Sequence, residues 1–282
     1  MENSELEQSI FGRKRKKDEE FGVYRSIVVA KATDKKILEV CQDGGVVTAL
    51  LKYAFENGII DGAAVSGVSL NKPLFSVPKL VTTAEEALEC AGTRYTYSPN
   101  LVAFREGIKK NLKSIAFVGT PCQILGIRKI AKRSDDYPLN FTVGLLCTES
   151  FDYQGLVEEH IRGKLGINLE DVTQVNIKGK ILVTTKSGET TGIPLKDAKQ
   201  YMRPACSVCV DFSSEFADIS VGGLGLNGWT FTILRTLKGE KLFNDAVKKG
   251  YLETRSINEE ERAYNLLLKL SGIKRKRAVP RN

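Results

Sequence analysis

The sequence predicts an α/β protein with α+β elements: a mixed sheet with flanking helices and a smaller β-rich insert. Three observations carry that expectation. Between Tyr24 and Cys147, β-branched runs alternate with stretches of helical apolar spacing. Between Val172 and Leu195 the texture changes to β-rich runs broken by Lys-Gly and Ser-Gly, the pattern of antiparallel hairpins. Beyond Tyr201, strand-like and helix-like segments mix again, and with 282 residues, 42% of them hydrophobic, the chain is long enough to bury a sizeable core.

Taken in order, residues 1–22 read as a basic, flexible leader. Tyr24–Ala32 reads as a strand, and Thr33 and Asp34 as caps of a short helix reaching Cys41. The glycines of QDGG, Gln42–Gly45, break the chain before a helix over Val46–Gly58. A strand over Ala63–Leu70 follows, then a helix over Thr83–Gly92 with Thr83 and Glu86 spaced as a capping box. Ser98–Asn111 reads as a helix with proline in its first turn. Next come a strand at Ser114–Gly119, a helix from about Gln123 to Arg133, and a strand at Asn140–Cys147. Residues 23–165 thus form the α/β part, 166–200 the hairpin insert, and 201–282 a closing part. The closing part has strands in ADISVGGLG and WTFTILRT, a helix in GEKLFNDAVKKG and a last helix from Asn258 to about Lys276.

The formal net charge is +8, so the surface field favours anionic partners. Much of the excess lies in Arg13–Lys17 and Lys274–Arg277, which read as solvated tails. Without interleaved aromatics or a recognised module they predict no nucleic-acid partner. No apolar run approaches the roughly 20 residues of a membrane span, and no secretory h-region opens the chain, so a cytoplasmic protein is expected. The single histidine, His160, reads as a surface residue and excludes a multi-histidine metal centre.

Six cysteines stand at 41, 90, 122, 147, 206 and 209. In a cytosolic chain, clustered thiols read as metal ligands or redox groups before disulfides. Cys122 follows one predicted strand and Cys147 ends the next. If those strands are parallel neighbours, both thiols reach the edge where open α/β sheets place ligands. With the C-x-x-C pair Cys206 and Cys209 they make a four-thiolate set that suits an iron-sulfur cluster or tetrahedral zinc, and spacing alone leaves both, and no metal at all, open. Cys41 and Cys90 read as small buried residues.

AKATDKKILEVCQDGGVVTALLKYA, AGTRYTYSPN, GTPCQILGIRK, VGLLCTESFDYQGL and CSVCVDFSSEFADISVGGLGLNGWT, in that order, resemble the coenzyme F420-reducing hydrogenase beta subunit family, whose relatives include F420H2 dehydrogenase and formate dehydrogenase beta subunits. The likeness runs from about Tyr24 to Thr254. It implies an F420-dependent oxidoreductase subunit carrying FAD and one (4Fe-4S) cluster. Such a subunit exchanges a hydride with coenzyme F420 as substrate and passes single electrons to or from a partner redox subunit of a larger complex. By the same resemblance Cys122, Cys147, Cys206 and Cys209 would be the cluster ligands. Gly44, Gly45, Thr93, Arg94, Ser98, Pro121, Gln123, Gly222, Gly223, Gly225, Asn227 and Trp229 would surround the flavin and its phosphates. No catalytic side chain is assigned, because hydride transfer itself requires none. Within that picture Gly44 and Gly45 precede a helix whose free N–H groups suit a phosphate, and the later glycines clear space for a planar ring. The competing readings are a zinc-stabilised basic binding module, and a flavin and iron-sulfur reductase using ferredoxin and an organic substrate.

Overall fold

The computed structural model of the chain describes residues 2–134 and 136–278. Where a flexible leader is expected, Asn3–Phe11 forms a helix, α1, whose Leu6 is 1% exposed. Burying that leucine is worth roughly 2 kcal/mol, enough to hold a short amphipathic helix against the body of the protein. Strand β1 (Ser26–Ala32) leads into α2 (Lys35–Val40), where Asp34 accepts the Lys36 N–H as the predicted cap. Helix α3 (Val46–Glu56) and strand β2 (Gly62–Val68) follow as read.

A second strand, β3 (Ser76–Val81), was not legible in the sequence; it carries Pro78, which an edge strand tolerates. Helix α4 (Ala84–Glu89) starts at Thr83, which accepts from Glu86 N–H, while the Glu86 carboxylate turns instead to Thr82 N–H, 2.6 Å away. Then come α5 (Leu101–Lys109), β4 (Ile115–Gly119), α6 (Pro121–Ala131) and β5 (Leu139–Leu145), followed by a π-helix at Gln154–Lys164. Strands β6 (Val172–Ile177), β7 (Lys180–Thr185) and β8 (Thr190–Pro194) and the short α7 (Leu195–Ala198) make the insert. The last part holds β9 (Ile219–Gly222), β10 (Thr230–Leu234), α8 (Leu237–Lys248), β11 (Leu252–Arg255) and α9 (Glu261–Arg275). With only four residues, β11 is too short to read from periodicity.

The large sheet has eight strands in the order β11-β1-β10-β9-β5-β4-β2-β3. Its centre, β9-β5-β4-β2, is parallel, and the strands on either side run antiparallel. Every residue of β4 is buried, which its unbroken apolar run IAFVG requires of a strand covered on both faces. On one face Leu6, Phe104, Phe117 and Ile127 pack together, drawing in α1, α5 and α6. On the other, Ala116 and Val118 meet Leu50 and Leu51 of α3 and Phe243 of α8. The second sheet, β6-β7-β8, is antiparallel, and its Ile181, Val183 and Ile193 form a separate core with Leu156, Val157 and Ile161 of the π-helix. That helix, read with the α/β part, therefore packs on the insert.

Two further expectations change. His160 is not on the surface: it is 8% exposed, lies edge-on to Tyr201, and burial pulls its pKa below the usual imidazole range. The basic runs are solvated only in part: Lys14, Lys16, Lys17 and Lys276 are exposed, but the arginines are tied to the body. Arg13 pairs with Glu19, Arg15 with Glu215 at 3.1 Å, Arg275 with Glu215, and Arg277 with Glu149 at 2.9 Å.

Candidate functional site

Parallel strands that end together leave their following loops and helix N-termini on one edge. Here Ser66 after mid-β2, Gly119 at the end of β4, Leu145 at the end of β5 and Gly222 at the end of β9 line a cleft of about 290 Å³. The first turn of α3, with Val46 and Thr48, and the Ala91–Ser98 segment complete its wall. That volume lies just below the roughly 300–1,000 Å³ typical of small-molecule sites. Gly45 caps α3 at φ +70°, and a β-carbon there would lie 2.6 Å from the Ile37 side chain, so only glycine fits the entry to this helix.

Of the flavin-contact residues expected from the resemblance, Gly45, Thr93, Arg94, Ser98, Gln123, Gly222 and Gly223 line the cleft. Gly44, Pro121, Gly225, Asn227 and Trp229 do not. Gly44 lies beneath the wall, donating to Thr230 Oγ1 at 3.0 Å. Pro121 is buried in the first turn of α6. Gly225 makes a turn at φ +81°, Asn227 accepts from Lys178 Nζ at 3.1 Å, and Trp229 is held between Lys31 and Arg255 by cation-π contact. Arg94 is committed as well: it donates to the carbonyls of Cys90, Ala91 and Gly92 at the end of α4. Burial lowers its pKa, and its Nε is buried without a partner.

Gln42 and Asp43 belong to the QDGG piece that the resemblance implies beside the flavin, though only its glycines were given a role, and both line the cleft between Cys41 and Gly45. Gln42 Nε2 is buried without a partner. Asp43 is pushed up to about 6 by burial, with Lys178 pulling the other way. Cys41 and Cys90 are not core residues but half-buried parts of the cleft wall, their thiols raised by burial.

Asp43 has a consequence for stability. Its folded-state pKa lies above the ordinary carboxylate value, so the native state is favoured below about pH 4 and loses that advantage as pH rises through about 6. Asp43→Asn is therefore expected to gain about 2 kcal/mol at pH 8, discounted for contact with water, and almost nothing at pH 4. Thermal melts at the two pH values check this, and an equal gain at both would refute it.

The four cysteines converge on the same edge. Strands β4 and β5 are parallel, with Gly119 opposite Gly144, so Cys122 in the first turn of α6 and Cys147 just past β5 are neighbours in the fold. The C-x-x-C loop is tied to them through the backbone. Arg203 N–H donates to Ser150 O at 3.0 Å, Ser150 N–H to Cys206 Sγ at 3.5 Å, and Cys147 N–H to Phe212 O at 2.9 Å. Cys147 is partly exposed as a residue, yet burial pushes its thiol up to about 12. Lys274 opposes that rise, and the charges of Cys122, Cys206 and Cys209 add to it. Among the described residues no three Cys, His, Asp or Glu side chains stand close enough together to chelate a metal as they are now oriented. Soft sulfur donors on three anchored segments suit zinc or an iron-sulfur cluster, and binding either would expel the thiol protons.

The chain matches both halves of the family described as coenzyme F420 hydrogenase/dehydrogenase, beta subunit: the N-terminal half over residues 27–105 and the C-terminal half over residues 112–260. It is 38% identical over 270 residues to the coenzyme F420 hydrogenase beta subunit of Methanococcus voltae, covering 91% of this chain and 93% of that one. It is also 38% identical over 271 residues to the coenzyme F420 hydrogenase beta subunit of Methanothermobacter thermautotrophicus, again covering 91% and 93%. A chain of the F420-reducing (NiFe) hydrogenase complex from Methanosarcina barkeri superposes with a TM-score of 0.88 at 37% identity, over 94% of this chain and 93% of that chain.

Proposed function

Since this chain belongs to the coenzyme F420 hydrogenase/dehydrogenase beta subunit family, and is thereby an F420-dependent oxidoreductase subunit, we propose that it binds FAD in the cleft and one (4Fe-4S) cluster on Cys122, Cys147, Cys206 and Cys209. It exchanges a hydride with coenzyme F420 and passes single electrons to or from another redox subunit of a complex in the cytoplasm. Among the described residues no helix is long and apolar enough to cross a membrane. The observation that carries the proposal is Cys147, which both lines the cleft and sits within electrostatic reach of the other three thiols. A cluster there adjoins whatever fills the cleft.

When bound, the flavin interconverts two-electron hydride chemistry and single-electron transfer, and the cluster carries the single electrons. The chain supplies position and surroundings. Gly222 and Gly223 line the cleft, where a β-carbon on either would collide with Leu146 or with the Asp43 carboxylate. The free N–H groups at the start of α3 suit a phosphate. Gln42 Nε2 and Arg94 Nε, buried and unpartnered, are donors that a ligand in the cleft can satisfy. The net positive charge attracts the phosphate and carboxylates of F420.

Anaerobically purified protein is expected to show flavin bands over broad iron-sulfur absorption, and reduced F420 should bleach the flavin. Cys206→Ser should lose cluster iron and keep its circular dichroism, because the parallel sheet has its own core. A colourless zinc protein, or a flavin that reduced F420 leaves oxidised, would overturn the proposal.

A further inference from the structure

Lys274 lies in the last turn of α9, is 3% exposed, and donates from Nζ to the Cys147 carbonyl at 2.5 Å. An ammonium has three N–H donors, and this one has a single acceptor and, among the described residues, no ion-pair partner. Its neighbours differ: Arg275 is paired with Glu215 and Arg277 with Glu149. Asp211, the buried acid that senses Lys274, is not at ion-pair distance and instead accepts Glu215 N–H at 2.9 Å. Taking an unpaired cation out of water costs several kcal/mol, and natural cores keep such a charge only where something anionic meets it. What Lys274 adjoins is the backbone of Cys147, beside the three other thiols.

We propose that Lys274 is the counter-charge of the four-thiolate site and raises the reduction potential of the cluster held there, an inference that rests on the cluster reading above. The position is fixed one turn of chain later. Arg277 donates to Thr148 O at 3.1 Å and Cys206 O at 3.4 Å, joining both cysteine-bearing segments to the end of α9. Reduction of the cluster adds one electron and no atom, so the negative charge at the site grows by one. A fixed cation in low dielectric favours that reduced form. The basic run Lys274–Arg277 thereby has a use in the site, and the sequence gives no hint of it beyond its charge.

The test is an anaerobic redox titration of the iron-sulfur signal in the whole protein, with iron and sulfide assayed alongside, for wild type, Lys274→Met and Lys274→Arg. Methionine keeps the apolar stem and removes the charge; arginine keeps the charge. The Met variant should reduce at least tenfold less favourably at a given potential, a shift of about 59 mV or more to the negative for a one-electron couple, while the Arg variant stays near wild type. Loss of cluster from the Met variant alone would also support a charge requirement. An unchanged potential in Lys274→Met, or equal loss of cluster from both variants, would overturn the proposal by leaving Lys274 with packing alone. Wild-type protein without iron would overturn the cluster reading itself, and this inference with it.

Discussion

Replacing Arg235 by methionine is expected to destabilise the protein by about 3–5 kcal/mol, the range for removing one partner from a buried charged network. Arg235 is 1% exposed just after β10, and all five of its N–H donors are used. Nε donates to Ser220 Oγ at 2.7 Å, Nη1 to Phe21 O and Val23 O at 3.1 and 2.9 Å, and Nη2 to Ser213 O and Oγ, both at 3.0 Å. Burial drags its pKa down to about 10 against the pull of Glu215 and Asp211, so the group stays charged at every working pH. Methionine fills much of the space but leaves the buried carbonyls of Val23 and Ser213 without donors, each worth about 1–3 kcal/mol, while Phe21 O keeps the Ser213 hydroxyl at 2.9 Å. Lysine should rescue little, because its three donors cannot reproduce a planar fork. Denaturant midpoints measure the loss; a methionine variant as stable as the parent would show that water reaches those carbonyls.

Gly144→Ala should cost about 3 kcal/mol, the upper end for overpacking, by pure sterics. Gly144 lies in β5 between Gly119 of β4 and Ser220 of β9. A β-carbon there would stand 2.2 Å from Ser214 Cβ and 2.9 Å from Ala217 Cβ. Neither atom moves by rotating a side chain, so the backbone of that segment must give way. Ser214 Oγ donates to Leu145 O, and Phe212 O accepts from Cys147 N–H, so the shift reaches a proposed cluster ligand. Lower iron content is expected beside the lower melting point. Gly126→Ala in α6 is the control: its new methyl meets nothing nearer than 3.5 Å and gains helix propensity of up to about 1 kcal/mol. A harmless Gly144→Ala would refute the close approach.

Much of this fold was legible because strong local signals agreed with the tertiary arrangement. β4 is an uninterrupted apolar run, β5 sets Leu139, Phe141, Val143 and Leu145 at alternate positions, and Asp34 caps the helix it was read to cap. What escaped had weak or misleading local signals. β3 contains a proline, which argues against a strand unless the strand is at an edge. Arg15 and Lys274 look solvated in sequence and are held by an acid or a carbonyl far along the chain. That Cys122 and Cys147 reach one sheet edge followed from reading β4 and β5 as parallel neighbours, whereas strand order placed the C-x-x-C pair nowhere and the resemblance joined it to them. QDGG marked the place of Asp43 but not its burial, which comes from elements far along the chain: the glycine segment at Gly223, the Tyr95 loop and the Lys178 hairpin. No motif records that.

Strand β1 lies between β10 and β11, and Ser26 finds its partner in Leu234. During synthesis β1 leaves the ribosome long before β10 and β11 and must wait for them before its edges are closed, a long-range pairing that slows folding. Cys122 and Cys147 emerge well ahead of the C-x-x-C loop, and the end of α9 with the turn after it, where Lys274 and Arg277 hold the Cys147 and Cys206 segments, comes later still. If the proposed cluster forms, its loading therefore belongs after α9 has been made, and before Cys209 a nascent chain presents assembly factors with only half of the proposed ligand set.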